Sequence, residues 1–221
     1  MPGFGDFDPR SFAAVIITFV IAITVHEFMH AWTAWMLGDD TARLLGRISL
    51  NPAVHFDPVG ALMFFLIALG LPGIAWGRPV PVNDFRLRPV GRFGRQGSMA
   101  LIALAGPLSN VVLGAVAASI LRFASISGTR LGEAEQFLWI FMLINFSLAA
   151  FNMVPLPPLD GSRILSALLP PFWRPVLAPL ERYGLPILIL LFIFGRGIGS
   201  EIISGITGPV LDLLLKVFAA T

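Results

Sequence analysis

This chain of 221 residues is poor in two kinds of residue, cysteine and charged residues. It has no cysteine, which excludes disulfide bonds and metal sites built from thiolates. Charged residues make up 13% of the chain and hydrophobic residues 56%, and several apolar runs approach the roughly 20 residues needed to cross a bilayer. The formal net charge of only +2 does not suggest a nucleic-acid partner. We therefore expect an all-α polytopic membrane protein, with residues 1–221 forming a single domain.

The apolar runs predict about five or six membrane helices. The lead-in at 1–10 carries acidic residues and no basic cluster, so it does not resemble a cleavable signal. The segment 41–58, which contains an alternating stretch at 45–50, predicts a short extended segment or hairpin at the membrane surface. The run at 59–76 is marginal in length and is interrupted at 70–73, so we expect a re-entrant or shallow segment there. The other predicted helices cover 11–37, 98–121, 137–153, 184–194 and 201–218.

Histidine is also scarce, and two of the three histidines lie in an HExxH motif at 26–30, inside the first apolar run. Because His26 and His30 are four residues apart, they project from one face of a helix and can bind the same zinc ion. Glu27 lies beside them and can transfer protons. Ionisable residues inside a membrane segment are costly and usually mark a functional site. The alternative is a chance match in which both histidines simply bond to neighbouring helices.

A catalytic zinc usually has three protein ligands and one open position. The residues leave three candidates for the third ligand, namely His55, Asp57 and Asp160. Asp160 follows a predicted spanning helix and lies in a proline-rich stretch, where irregular backbone can line a polar cavity. This favours Asp160 only modestly, and the spacing alone leaves the choice open.

Two separated motifs give the chain a family resemblance. The sequence HEFMH at 26–30 and the sequence NMVPLPPLDG at 152–161 resemble the paired signature of the site-2 protease family of intramembrane zinc metalloproteases. Segments at 46–52, 55–58, 79–83 and 105–110 are similar to a compact bacterial branch without PDZ or CBS modules. The resemblance runs from about residue 20 to residue 165. It implies one Zn²⁺ per chain, held by His26, His30 and Asp160.

The resemblance also implies an activity and its substrates. An intramembrane zinc metalloendopeptidase hydrolyses peptide bonds in or near the transmembrane helices of other proteins, in regulated intramembrane proteolysis. Zinc-activated water would be the nucleophile, with Glu27 as the general base. An extended edge at 45–50 could pair with an unwound substrate strand, although a surface hairpin without that role fits equally well.

Three further residues are candidates for contact with the substrate or the oxyanion. Asn110 and Asn152 occupy family motif positions near the active site, although bonding between helices is the ordinary role of such amides. His55 could gate the site or merely hold its loop. Two other functions stay open: a membrane metal transporter or carrier that uses the His pair and Asp160 as a transit site, and an inactive homologue acting as a scaffold. The oligomeric state is left open.

The three proposed ligands also constrain the topology. They must meet at one depth, which is simplest if the helices carrying them run in the same direction, with an odd number of crossings between. The loop at 77–97 holds five arginines and one acidic residue. By the positive-inside rule it faces the cytoplasm of a cell (plasma) membrane, which places the active site towards the cytoplasmic side.

Overall fold

The computed structural model describes residues 8–69, 75–173 and 198–219, and also residues 175, 179–180, 182–184, 186–188 and 190. Within these ranges no β-strand forms, and three helices are long and apolar enough to cross a membrane. This confirms an all-α membrane protein. The helices in chain order are α1 (Pro9–Met36), α2 (Thr41–Leu44), α3 (Pro58–Ala68), α4 (Gly94–Ser127), α5 (Glu133–Asn152), α6 (Asp160–Leu168) and α7 (Ile198–Leu214).

The spanning helices are α1, α4 and α5, and they correspond to the predicted runs at 11–37, 98–121 and 137–153. Helix α1 begins where Asp8 accepts bonds from the N–H groups of Arg10 and Ser11, with Pro9 in the first turn. It ends at Met36, and the chain turns away at Gly38, whose φ of 102° is easily adopted only by glycine. With 28 residues, α1 is about 42 Å long and exceeds the hydrocarbon thickness.

Helices α1 and α5 run in the same direction, and α4 runs against both. At one end, Arg10 of α1 bonds Glu133 of α5. Further along α1, His26 bonds Asn110 and His30 bonds the carbonyl of Ile102, so residue numbers rise in α1 as they fall in α4. The helix that carries the His pair and the helix that precedes Asp160 therefore run in the same direction, as expected, and α4 runs against both.

Helix α3 lies in the run where we expect a re-entrant or shallow segment, and its placement in the membrane stays a prediction. Its 11 residues span about 16 Å, roughly half the hydrocarbon thickness. Asp57 caps it by accepting bonds from the N–H groups of Val59 and Gly60. The predicted interruption at 70–73 lies outside the described residues.

The hairpin alternative at 45–50 is wrong. The chain turns after α2 and continues without strand pairing, and the isolated bridge in this region joins Phe56 to Gly77. Arg47 gives the physical reason, because its side chain turns inward and donates to the carbonyls of Arg78 and Pro79, 2.9 Å from each. Hydrogen bonds from the Arg47 side chain therefore hold this segment, in place of the backbone pairing that a hairpin would make.

The described C-terminal residues, 198–219, form a helix and a turn that pack against α4 and α5. Helix α7 is followed by a π-helical turn, Leu215–Ala219, and together they match the predicted helix at 201–218. The predicted helix at 184–194 lies mostly outside the described residues.

The α4–α5 interface has two distinct parts, which we call the site half and the apolar half. The site half contains Asn110 and Asn145, which are fully buried and bonded to each other. In the apolar half, α4 approaches so closely that a Cβ on Gly114 would lie 2.4 Å from the ring of Phe146. The buried apolar half comprises Gly114, Ala117, Ala118, Met142 and Phe146, with Leu211, Leu214 and Phe218 packed against it.

Candidate metal centre

Three ligand atoms converge at the site end of the bundle. Helix α1 presents His26 and His30 one turn apart, and Asp160 is the first residue of α6, just after the proline-rich turn. The Nε2 atoms of the two histidines are 3.0 Å apart. Oδ2 of Asp160 lies 3.1 Å from Nε2 of His26 and 3.2 Å from Nε2 of His30. All three side chains are buried.

The other nitrogen of each histidine is held by an oxygen atom. Nδ1 of His26 lies 2.7 Å from Oδ1 of Asn110, and Nδ1 of His30 lies 2.6 Å from the carbonyl oxygen of Ile102. Because these oxygens only accept hydrogen bonds, each neutral imidazole must carry its proton on Nδ1. Both Nε2 atoms are then left as bare lone pairs aimed at a carboxylate oxygen.

This arrangement fits a bound zinc ion. Three electron-rich atoms so close together repel one another unless a cation lies between them. Oδ2 of Asp160 is buried and makes no hydrogen bond to any described residue. Nitrogen and oxygen ligands of a tetrahedral zinc stand about 3.3 Å apart, and the observed triangle is slightly tighter. Donation from histidine Nδ1–H to an oxygen is also the usual outer support of a zinc-binding imidazole.

Glu27 lies next to the triangle and faces a cavity. The cavity has a volume of about 200 Å³ and is lined by all three converging residues and by Glu27. The backbone of Gly77 borders the carboxylate, since a Cβ at that position would be 3.4 Å from Oε1 of Glu27. The segment after Gly77 completes this wall with Pro79, Val80 and Val82. A carboxylate, a candidate metal site and space for a substrate group therefore adjoin one another.

The structure separates the remaining sequence candidates. Asn152 lines the cavity, and its Nδ2 donates to the carbonyl of Leu148. Asn110 is fully buried and bonded to His26, a placement that favours support of that imidazole over contact with a substrate.

The two other candidates for the third ligand lie elsewhere. His55 is fully buried, with Nε2 2.6 Å from the carbonyl of Ser49, and it is not among the described residues that line the cavity. Asp57 is the cap of α3. Asp160 is the one of the three candidates that the described structure brings to the His pair.

Sequence reasoning did not identify three residues that shape the site. A Cβ on Gly106 would lie 2.5 Å from Nε2 of His30, so glycine is needed for α4 to approach the histidines. Asn145 bonds Asn110, and Arg47 holds the backbone behind the cavity wall. An amide inside an apolar helix was the available signal for Asn145, and the Gly-Pro pair at 106–107 was the signal for Gly106.

Comparisons with known proteins agree with this geometry. The sequence model of peptidase family M50 matches residues 127–194. A relative from Bacillus subtilis, named "Putative zinc metalloprotease YwhC", is 35% identical over 213 residues, which cover 93% of this chain and 91% of the relative. Rip2 of Mycobacterium tuberculosis, which carries the same description, is 32% identical over 189 residues, covering 82% of this chain and 67% of the relative.

A more distant relative is archaeal. Zinc metalloprotease MJ0392 of Methanocaldococcus jannaschii is 28% identical over 135 residues, covering 57% of this chain and 38% of the relative. No solved structure matches the chain significantly. The extent of the Bacillus match establishes that this chain is a protease and belongs to peptidase family M50, the site-2 protease family.

Proposed function

We propose that this protein is an intramembrane zinc metalloendopeptidase that cleaves peptide bonds in or near the transmembrane helices of membrane-protein substrates. The observation that carries the proposal is the meeting of His26, His30 and Asp160 within 3.2 Å, with Glu27 beside them on a cavity. The ligands of the single Zn²⁺ would be these three residues, and residues 1–221 would act as one protease domain.

The chain's own residues supply most of the chemistry. Zinc, when bound, provides a Lewis acid that activates water and polarises the scissile carbonyl. Glu27, which lines the cavity, would take a proton from the attacking water and pass it to the leaving amine. Asp160 adds a negative charge that partly offsets the charge of the cation. Asn152 lies on the same cavity wall, where its amide can contact the substrate backbone.

The depth of the site favours a substrate that is itself in the membrane. His26 lies ten residues before the end of α1, about 15 Å along the helix. A helical substrate must unwind locally, because its amides are otherwise bonded within the helix. The chain beside the cavity is at 75–82, where Gly77, Pro79 and Val80 line it, whereas no described residue of 45–50 does. We therefore place the unwound substrate strand against 75–82.

The charges at the two ends of the bundle support a cytoplasmic orientation of the site. The end that carries the metal centre includes the loop 77–97, with five arginines and one acidic residue. At the other end, Arg10 is paired with Glu133. Under the positive-inside rule the end with the metal centre faces the cytoplasm of a cell (plasma) membrane.

The replacement Glu27→Gln provides the test. Removal of a general base typically lowers the rate 10²- to 10⁴-fold, while the three proposed metal ligands are unchanged. Purified protein in lipid, given a single-span substrate, should therefore lose cleavage and keep its zinc.

The matching control is wild-type protein treated with a chelator, which should stop cleavage until zinc is restored. A Glu27→Gln protein that cleaves normally would contradict the proposal. Zinc passage across the membrane that survives Glu27→Gln would favour the metal-carrier alternative.

A further inference from the structure

A directional chain of hydrogen bonds crosses all three spanning helices and ends on His26. It starts on α5, where Nδ2 of Asn145 donates to the carbonyl of Phe141 at 2.8 Å. Nδ2 of Asn110, on α4, donates to Oδ1 of Asn145 at 3.0 Å and to the carbonyl of Ala22 on α1 at 3.1 Å. Oδ1 of Asn110 then accepts from Nδ1 of His26 at 2.7 Å.

Each link fixes the direction of the next. Since the carbonyl of Phe141 can only accept, Asn145 must turn its NH₂ towards it and present its oxygen to Asn110. Two acceptors, Asn145 Oδ1 and the Ala22 carbonyl, then hold the NH₂ group of Asn110. The oxygen of Asn110 therefore faces His26, which keeps the histidine proton on Nδ1.

We propose that Asn145 is a positioning residue that sets the tautomer of His26 through Asn110 and so leaves Nε2 free to bind the metal. This inference rests on the proposed function to the extent that His26 is a zinc ligand. Asn145 does not line the cavity among the described residues, so it acts without touching the substrate or the metal site.

Loss of the Asn145 oxygen would weaken this control. One N–H of Asn110 would lose its acceptor, and the amide could rotate by 180° with a smaller penalty. An N–H would then face Nδ1 of His26, and the imidazole proton would move to Nε2, the atom that must bind zinc. Outer partners of metal ligands typically change affinity 10- to 100-fold, and we expect about tenfold for a residue one bond further away.

The experiment reads the tautomer in metal-free protein that carries Asp160→Ala, because without a metal ion the Asp160 carboxylate, 3.1 Å from Nε2 of His26, would itself attract a proton to that atom. With only three histidines in the chain, nitrogen-15 NMR of histidine-labelled protein in detergent can be assigned using His30→Gln and His55→Gln. In this background the contact with Asn110 should keep the proton of His26 on Nδ1. When Asn145→Leu is added, a substantial fraction of His26 should carry the proton on Nε2. In protein with Asp160 intact, competition with a chelator should show about tenfold weaker zinc binding for Asn145→Leu.

Two further variants separate positioning from general stability. Phe146→Leu disturbs the neighbouring packing of the same interface, and it should keep the wild-type tautomer and zinc affinity. Asn145→Asp should also keep both, because a protonated carboxyl can still donate to Phe141 and accept from Asn110. If Asn145→Leu does not fold, Asn145→Ala removes the same acceptor with less bulk and is read in the same way.

A wild-type tautomer and affinity in Asn145→Leu would overturn the inference. An equal change in Phe146→Leu would do the same, because it would make the effect one of packing. The tautomer is measured without zinc and without proteolysis. A wild-type protein that failed to bind zinc would therefore refute the proposed function without affecting the NMR result.

Discussion

The site half and the apolar half of the α4–α5 interface join the same two helices by different means. In the site half, Asn110 and Asn145 are fully buried and their amides have partners on three helices. In the apolar half, the ring of Phe146 packs on the bare backbone of Gly114. Lipid gives little hydrophobic drive between helices, so both packing and hydrogen bonds hold the bundle together. The difference indicates that the apolar half supplies cohesion and the site half supplies orientation.

The neighbours of each half follow the same division. Helix α1, with its histidines, bonds the site half through Ala22 and His26. Residues of α7 and the following π-helical turn pack on the apolar half. A change in one half should therefore affect metal binding, and a change in the other should affect stability.

The sharpest test of this division uses two glycines of α4. A Cβ on Gly106 would lie 2.5 Å from Nε2 of His30, and a Cβ on Gly114 would lie 2.4 Å from the Phe146 ring. Gly106→Ala must displace a proposed ligand, so we expect zinc affinity to fall by more than about 100-fold, beyond the effect of an outer partner. Gly114→Ala should cost about 1–3 kcal/mol of stability through overpacking and retain zinc.

Zinc titration and thermal unfolding in detergent, applied to both variants, measure this difference. Equal zinc loss in the two variants would show that packing in the apolar half and geometry at the candidate metal centre are not separate.

A smaller effect is expected at Arg47, whose side chain bonds to the backbone of a neighbouring segment and does not contact the proposed metal ligands. Its guanidinium donates to the carbonyls of Arg78 and Pro79 behind the cavity wall. Both Arg47→Lys and Arg47→Gln lose this two-pronged contact, so each should lower kcat/KM about tenfold, equal to about 1.4 kcal/mol. Zinc content should not change.

Steady-state cleavage with metal analysis on the same preparations checks this. A defect in Arg47→Gln that is absent from Arg47→Lys would assign the effect to charge and not to the shape of the guanidinium.

The smallest expected effect concerns Asp39, which lies just after α1 and connects it to the loop 77–97 through a bond from the N–H of Asn83. Burial alone would raise the pKa of Asp39, but bonds from Thr41 and the N–H of Asn83 outweigh it and hold the pKa below the ordinary 3.8. The lowered pKa stabilises the fold above pH 3.8, and this contribution is lost as the pH falls through the folded-state value. Asp39→Asn should cost about 1 kcal/mol at pH 7, since its NH₂ would face the N–H of Asn83.

The free energy of unfolding of Asp39→Asn and of the wild type is measured from pH 7 to pH 3. The difference between the two should become smaller towards pH 3. A difference that grows towards pH 3 would contradict a lowered pKa of Asp39 in the folded protein.

The sequence predicted the parts of the site that local geometry determines. The spacing of His26 and His30 is a property of any helix, and hydropathy located the three spanning helices to within a few residues at most ends. Asp160 is 130 residues beyond His30, and no local rule reports that the chain closes over that distance. The family resemblance identified Asp160, and the structure places its carboxylate beside the His pair.

The features that the sequence analysis predicted wrongly or missed all depend on tertiary contacts of single residues. Alternation at 45–50 suggested a hairpin, but the inward bonds of Arg47 decide the conformation. Asn145 resembles any amide in an apolar helix until its partner on α4 is known. Gly106 is one glycine beside a proline in an apolar run, and only the structure shows that the groups it approaches are the two imidazoles.

Zinc content after exhaustive dialysis is the most direct test that His26, His30 and Asp160 share one metal ion. Asp160→Asn and Asp57→Asn make the same chemical change at the two aspartates that the sequence left as candidates, and asparagine can still cap α3. We expect close to one zinc per chain in wild type and in Asp57→Asn, and close to none in Asp160→Asn. Full zinc in Asp160→Asn, or its loss in Asp57→Asn, would contradict the account.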